Sequence, residues 1–185
     1  MSAVHFLWIA GRQRLPRTLL GALLLILFMP LVKADTFTES QVKAVYLYNF
    51  ANFVRWPETS FQPHPEEFHF CSSESRNEVV QHLQRLTAGE TINGRRLVVR
   101  TLDSGEPPLE CQLLFVSDLR TETGYGQIPG LLLVSDQENF VASGGIIELR
   151  TLNSRIRPLI QVDQLDRAGL SASSQLLRLS DRQTD

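Results

Sequence analysis

The sequence predicts a single α/β domain in which a mixed β-sheet is flanked by helices on both faces and ends in a C-terminal antiparallel hairpin. Two continuous apolar runs, residues 113–116 and 131–134, favour strands that are covered on both faces. A strong helical pattern precedes these runs, and residues 146–161 contain two strand-like segments around an Asn-Ser turn. Strands that alternate with helices are typical of an α/β sandwich.

The first element is a helix predicted over residues 39–55. Thr38 or Ser40 can cap its start. Trp56-Pro57 ends it, because the residue before a proline is pushed out of the helical region.

This helix has apolar residues on more than one side. Lys43 lies inside the main apolar arc, and near a helix start we expect its ammonium group to extend to solvent. Val45 and Tyr48 lie outside the arc, beside the polar face. The helix is therefore either nearly fully buried, or part of it contacts another protein.

The other elements follow in chain order. They are a strand at 68–71, a helix at 74–87, a strand at 97–102 after the Asn93-Gly94 turn, the strands 113–116 and 131–134, two strands at 146–151 and 155–161 joined at Asn153-Ser154, a helix at 163–168, and a helix or strand at 171–179. We expect residues 181–185 to be frayed.

Residues 1–34 have the pattern of a cleaved secretory signal. Three arginines precede the apolar stretch 19–29, and Val32-Lys33-Ala34 resembles a signal-peptidase site. A membrane anchor is the alternative, but a helix needs about 20 apolar residues to span the hydrocarbon core. We therefore predict cleavage after Ala34, export to the periplasm, no stable membrane insertion afterwards, and one domain over residues 35–185.

Composition and charge exclude several classes of protein. The chain has 185 residues, of which 43% are hydrophobic and 21% charged, unlike a disordered or low-complexity chain. The predicted leader carries four basic residues and no acid, so the remainder has a net charge of −6. A protein that binds nucleic acid through bulk positive charge is not expected to be acidic.

The two cysteines, Cys71 and Cys111, are a candidate disulfide. In an oxidising compartment an even pair usually forms a bridge, and both cysteines adjoin predicted strands. The alternative is two buried free thiols, because cysteine is among the most buried residue types.

Catalytic and metal-binding motifs are not found in the sequence. It contains no Gly-x-Ser-x-Gly elbow, P-loop or dinucleotide fingerprint. His64 and His69 are five residues apart, without a recognised zinc spacing, and we expect them to be surface or strand histidines. The sequence therefore predicts no enzyme, no metal and no cofactor, and a hydrolase lacks a base–nucleophile pair.

Two Ser-Asp pairs end the apolar strands. Ser117-Asp118 and Ser135-Asp136 lie at the carboxyl edge of the sheet if both strands are parallel, which is where α/β folds bind ligands. Helix capping and turn formation explain the same pairs. A periplasmic small-molecule binding protein that uses these four residues is the alternative function.

Five segments in order resemble the YfiR family of small exported proteins. They are KAVYLYNFANFVRWP at 43–57, INGR at 92–95, CQLLFVS at 111–117, LVSD at 133–136 followed by Phe140 and Gly144-Gly145, and AGL with SSQLL between 168 and 177. The resemblance covers about residues 41–179. Some relatives carry a second cysteine pair, which this sequence lacks.

The resemblance implies a periplasmic repressor of a membrane-bound diguanylate cyclase. Such a repressor, expected to be a homodimer, engages the periplasmic sensor domain of the cyclase, so that cyclic di-GMP synthesis and biofilm formation stay low. An outer-membrane OmpA-like lipoprotein releases the cyclase by sequestering the repressor. The matching segments are fold motifs, so the resemblance transfers no contact residue.

Two surfaces are candidates for contact with a partner protein. One is the partly apolar side of the first helix, with Val45 and Tyr48, and the other is the hairpin around Leu152, Arg155 and Arg157. Packing in a dimer or in a last layer of the core is the alternative role for each.

Overall fold

The structure, a computed structural model, describes residues 37–74, 76–103, 105–117, 125 and 128–183. The predicted leader, residues 1–34, lies outside the described residues, and so does Asp118. Cleavage after Ala34 therefore stays a prediction.

The helices and strands are numbered in chain order. The helices are α1 (Glu39–Phe53), α2 (Glu78–Leu86), α3 (Val162–Arg167) and α4 (Ser174–Leu179), with a 3₁₀ turn at Glu58–Phe61. The strands are β1 (Val54–Arg55), β2 (Glu67–Ser72), β3 (Thr91–Ile92), β4 (Arg95–Thr101), β5 (Leu113–Val116), β6 (Leu132–Ser135), β7 (Ile147–Leu152), β8 (Arg155–Gln161), β9 (Ser171–Ala172) and β10 (Asp181–Gln183). Within the described part of the chain, no helix has the length and apolar character needed to cross a membrane.

One mixed sheet forms the centre of the fold. Its strand order is β10-β8-β7-β6-β5-β2-β4-β3. The strands β4, β2, β5, β6 and β7 run parallel, whereas β3 and β8 are antiparallel to their neighbours β4 and β7. All residues of β5 and β6 are buried, as expected for strands covered on both faces. The predicted fold class is confirmed, including the β7–β8 hairpin.

The start of α1 follows from its first residues. The Thr38 side chain accepts a hydrogen bond from the backbone amide of Gln41, while the Gln41 side chain accepts one from the backbone amide of Thr38. This reciprocal capping box satisfies two backbone donors that a helix start leaves unpaired. The helix stops where Val54 becomes extended, just before Trp56-Pro57.

Both predicted turns have positive φ at their two central residues, which Asn93, Gly94 and Asn153 adopt readily and Ser154 does not. Asn93 and Gly94 join β3 to β4 with φ of 50° and 82°, and Asn153 and Ser154 join β7 to β8 with φ of 48° and 59°. A two-residue hairpin of type I′ requires positive φ at both central positions, which asparagine and glycine adopt readily.

Two parts of the fold differ from the sequence prediction. The helix α2 begins at Glu78 instead of 74, because the Ser72 hydroxyl bonds the backbone of Glu74 and Asn77 caps the helix. The strands β1 and β9 pair with each other in a separate two-stranded sheet. The C-terminal segment includes a strand, β10, that pairs in parallel with β8, and fraying of residues 181–185 stays a prediction.

A disulfide joins Cys71 in β2 to Cys111 just before β5, with their Cα atoms 5.9 Å apart. Both residues are buried. The bridge closes a segment with a sequence separation of 40 and holds the connection between β4 and β5 against the centre of the sheet.

Candidate interaction surface at the carboxyl edge of the sheet

The carboxyl ends of three neighbouring strands meet at one edge of the sheet. The strands β5, β6 and β7 are parallel, so Ser117, Asp136 and Leu152 follow or end them on the same side. The predicted ligand edge and the predicted hairpin surface therefore belong to one region. Asp118 lies outside the described residues.

The two serines of this edge form hydrogen bonds within the fold. Ser135 donates from its hydroxyl to the carbonyl of Val116, 2.8 Å away, and accepts from the amide of Gln137 at 3.0 Å. The side-chain amide of Asn77 donates to the Ser117 hydroxyl at 3.1 Å. The bond from Gln137 to Ser135 is a turn interaction, one of the alternatives that the sequence left open, whereas Ser117 is bound by a side chain from another segment. Small-molecule binding by Ser117, Ser135 and Asp136 stays a prediction.

Lys43 connects α1 to this edge. Its ammonium nitrogen lies 2.8 Å from Asp136 Oδ2 and 2.7 Å from Glu39 Oε1. The expectation that this lysine reaches solvent is wrong, because the residue is only 9% exposed and its charge is balanced inside the fold. A cation can be buried when carboxylates pair with it, and here one of them comes from 93 residues away.

The ion pairs also shift the titration of these groups. Burial acts to lower the pKa of Lys43, but its bonds to Asp136 and Glu39 outweigh burial and raise it above its ordinary value. The pKa of Glu39 is lowered, first by its bond to Lys43 and then by the hydroxyl of Thr151. Both groups are therefore held in their charged forms.

Two neighbouring cavities flank this ion pair. The first, of about 500 Å³, lies between Lys43, Asp136 and Leu152, and the second, of about 630 Å³, lies between Phe37, Tyr46 and the hairpin. Glu39 and Thr151 line both cavities, so that these form one continuous region.

Side-chain contacts hold α1 against the hairpin. The Thr151 hydroxyl donates to Glu39 Oε1 at 2.8 Å, and the Tyr46 hydroxyl donates to the carbonyl of Ile156 at 3.3 Å. The helix and the hairpin, predicted as two separate candidate surfaces, are therefore adjacent.

The structure brings only two of the five predicted contact residues to this region. Leu152 and Arg155 line the two cavities, and Leu152 is 44% exposed. Val45 is 41% exposed on α1, and Arg157 is exposed on β8. Tyr48 is half-buried, and its hydroxyl donates to Glu90 at 3.3 Å, away from the hairpin. None of these positions establishes a contact, so the partner-binding roles stay predictions.

Sequence reasoning missed Phe37. This residue precedes α1, is 79% exposed, and lines the larger cavity beside Arg155. The sequence does show a large aromatic residue directly before the helix cap. It does not show what this residue contacts, because the hairpin beside it is more than 110 residues later in the chain. We call the region lined by Phe37, Leu152 and Arg155 the carboxyl-edge surface.

The carboxyl-edge surface combines apolar, charged and internally bonded groups. Exposed apolar groups, an arginine and a balanced ion pair lie together, and the serines are bound within the fold. A family model described as YfiR/HmsC-like matches residues 40–181.

The chain belongs to this family. The match covers most of the chain and confirms the resemblance that the five segments carry. No curated protein matches the chain.

Membership of the YfiR/HmsC-like family implies a periplasmic regulator of diguanylate cyclase signalling, a regulatory protein and not a catalytic one. The structure explains why two of the matching segments are fold motifs. A Cβ atom on Gly145 would lie 2.2 Å from the ring of Phe140, so this aromatic residue needs the glycine. Gly169 ends α3 with φ of 71°, a conformation that glycine adopts without strain.

Proposed function

We propose that this chain is exported to the periplasm, loses residues 1–34, and represses an inner-membrane diguanylate cyclase by binding its periplasmic sensor domain. An outer-membrane OmpA-like lipoprotein ends the repression by sequestering the chain. The observation that carries this proposal is the YfiR/HmsC-like match over residues 40–181. The disulfide between Cys71 and Cys111 supports it, because such bridges persist in oxidising compartments.

Repression of this kind requires binding energy and no reaction. A ligand that moves a two-state target from 99:1 to 1:99 needs about 5.5 kcal/mol of differential affinity. A protein interface of standard size, about 1,600 Å², can supply that difference. The chain therefore acts as a non-catalytic regulator of the cyclase.

The carboxyl-edge surface is the region that we assign to the cyclase. Phe37 and Leu152 expose large apolar side chains there, and Arg155 lines the same cavity as Phe37. Aromatic residues and arginine are enriched in protein interfaces relative to the rest of the surface. Val45 on α1 and Arg157 on β8 are exposed and remain further candidates for the contact.

A homodimer is the second part of the proposal, and the family resemblance is its basis. Light scattering on the purified protein measures the mass directly. A monomer at all accessible concentrations contradicts this part and leaves the cyclase proposal intact.

Deleting the gene in a strain that contains the partner cyclase is the first test of the function. We expect cyclic di-GMP to rise, and a plasmid copy of the wild-type gene to lower it again. An unchanged level after deletion contradicts the proposal.

A pair of matched variants tests the assigned surface. We expect Leu152→Asp to fail to restore repression, because a charge replaces an exposed apolar contact. Leu109→Asp is the control: Leu109 is also exposed, at 70%, but precedes β5 on another part of the molecule. Immunoblots of periplasmic extract check that both variants accumulate. Equal repression by the two variants means that the cyclase binds elsewhere.

A further inference from the structure

Two histidines and a glutamate converge at the amino end of β2, on the opposite edge of the sheet from the carboxyl-edge surface. His64 lies in the loop before this strand, and Glu67 and His69 belong to the strand itself. One ligand atom from each of the three side chains lies within 4.8 Å of the others. The two imidazole rings are 4.7 Å apart between centroids and inclined by 30°.

The strand geometry explains why Glu67 and His69 meet. Residues two apart in a strand project from the same face. Accordingly, Glu67 Oε2 lies 2.6 Å from His69 Nε2. The loop before β2 then brings His64 over His69. Their spacing of five residues does not belong to a recognised zinc motif, so the sequence alone does not reveal this arrangement.

The carboxylate of Glu67 is oriented from its other side. Its Oε1 atom accepts a hydrogen bond from the guanidinium of Arg96, which lies beside it on β4. The carboxylates that bind metals are themselves usually held by such outer contacts.

His69 is a buried imidazole with one ring nitrogen that has no partner. The residue is 5% exposed, and its Nδ1 atom has no hydrogen-bond partner among the described residues. The other ring nitrogen, Nε2, is the atom that faces Glu67. His69 therefore presents Nε2 to the cluster from a buried, well-packed ring.

We propose that His64, Glu67 and His69 bind one divalent transition-metal ion, with Zn²⁺ as the best match to two imidazoles and a carboxylate. Zinc takes these donors at about 2.0–2.2 Å in tetrahedral geometry. His64 can close the remaining distance, because its side chain is 45% exposed and unrestrained by the core. A further carboxylate is within reach, because Glu110 Oε2 lies 3.5 Å from His64 Nε2.

Such an ion has a specific place in the fold. It joins the loop before β2 to the strand, and through Glu110 it reaches the residue next to Cys111. The site is at the opposite edge from the carboxyl-edge surface, so its loss leaves the proposed cyclase contact in place. The metal inference and the proposed function can therefore fail independently.

Titration with zinc tests the inference directly. The full chain is expressed for export, purified without a polyhistidine tag, stripped with a chelator and titrated with ZnCl₂ in a calorimeter. We expect one equivalent to bind, and Co²⁺ in its place to give the visible absorption of a tetrahedral site. Zinc should also raise the Tm of the wild-type protein.

His64→Asn is the decisive variant, because it removes an exposed ligand and leaves the core untouched. We expect at least about a tenfold loss of zinc affinity, since even outer contacts of metal sites are worth 10–100-fold. Glu67→Gln should show the same loss. His82→Asn is the control, because His82 lies on α2 and contacts Arg85 instead of the cluster.

Three results overturn the inference. One is the absence of zinc binding by the wild-type protein, and another is the same affinity in His64→Asn as in the wild type. Loss of affinity in His82→Asn equal to that in His64→Asn also overturns it, because the ion then binds elsewhere.

Discussion

Lys43 and Asp136 form the strongest link between α1 and the end of β6. Their side chains are 11% and 19% exposed, and the oxygen and nitrogen are 2.8 Å apart. In such a partly buried pair, removing one charge lowers the free energy of unfolding by more than the intact pair contributes to it, because the other charge is left without a partner.

Replacing Asp136 with asparagine should therefore lower stability. We expect Asp136→Asn to reduce the free energy of unfolding by about 1–3 kcal/mol, the usual cost of an inadequately paired buried group. Urea denaturation of the wild-type and variant proteins measures this difference.

Glu39 supplies the matched comparison, because its side chain binds the same ammonium group but is 51% exposed. We expect Glu39→Gln to cost less than about 1 kcal/mol, as for exposed ion pairs. A loss from Glu39→Gln as large as that from Asp136→Asn would show that burial does not decide the strength of this link.

The sequence predicted the location of Asp136 but not its role. The apolar run before Asp136 indicated a strand of a parallel sheet. The carboxyl ends of such strands lie at one edge of the sheet, which located Asp136 there. Its partner was not predictable, because Lys43 is far away in the chain, and the position of Lys43 inside the apolar arc does not say which carboxylate it meets. For the same reason the sequence predicted only surface or strand histidines at His64 and His69, although the fold brings their rings together.

The C-terminal strand β10 is the element whose loss is easiest to test. It pairs with β8 from Asp181↔Leu159 to Gln183↔Gln161, and an ion pair joins Asp181 to Arg150 of β7. These contacts cover an edge of the sheet that would otherwise expose unpaired backbone groups.

A chain that ends at residue 180 should expose β8. We expect faster hydrogen exchange for the amides of β8 that face β10, with a small change in global stability, since β10 itself is exposed. Exchange measured by mass spectrometry on a peptide covering Arg155–Gln161 reports this directly. A chain that ends at residue 183 keeps the strand and should exchange like the full chain; equal protection in the shorter chain would contradict the role of β10.

The larger elements were predictable because each has a local pattern: a capping residue and an apolar arc in α1, continuous apolar runs in β5 and β6, and turn residues between β7 and β8. The helix α1, the buried strands β5 and β6 and the β7–β8 hairpin all appear close to their expected bounds. The strands β1, β3, β9 and β10 have two or three residues each, too few for any period to show. Their pairing depends on which segments the larger elements bring together.

The disulfide acts on the molecule as a whole, because it restricts the unfolded chain. Its sequence separation is 40, for which the chain-entropy model gives a stabilisation of about 4 kcal/mol. The pairing of Cys71 with Cys111 was predicted from cysteine number and the expected compartment, and the structure confirms it.

Removing either cysteine should have the same consequence. We expect Cys71→Ser and Cys111→Ser each to lower the free energy of unfolding by about 4 kcal/mol under oxidising conditions. Urea denaturation with and without reductant measures this, since denaturant is needed to expose the buried bridge. With reductant, the free energies of unfolding of the wild-type protein and of both variants should become similar. If both variants are as stable as the wild-type protein without reductant, the prediction is contradicted.

The pairing of β1 with β9 has a consequence for the order in which the domain forms. Val54, at the end of α1, takes Ala172 as its partner, so a segment near the beginning of the domain is completed by one near its end. A ribosome or a translocation channel delivers the chain from its N-terminus, and for most of that time Val54 has no strand to join. The finished domain can therefore assemble only after nearly every residue has been delivered, which is compatible with the export that we propose.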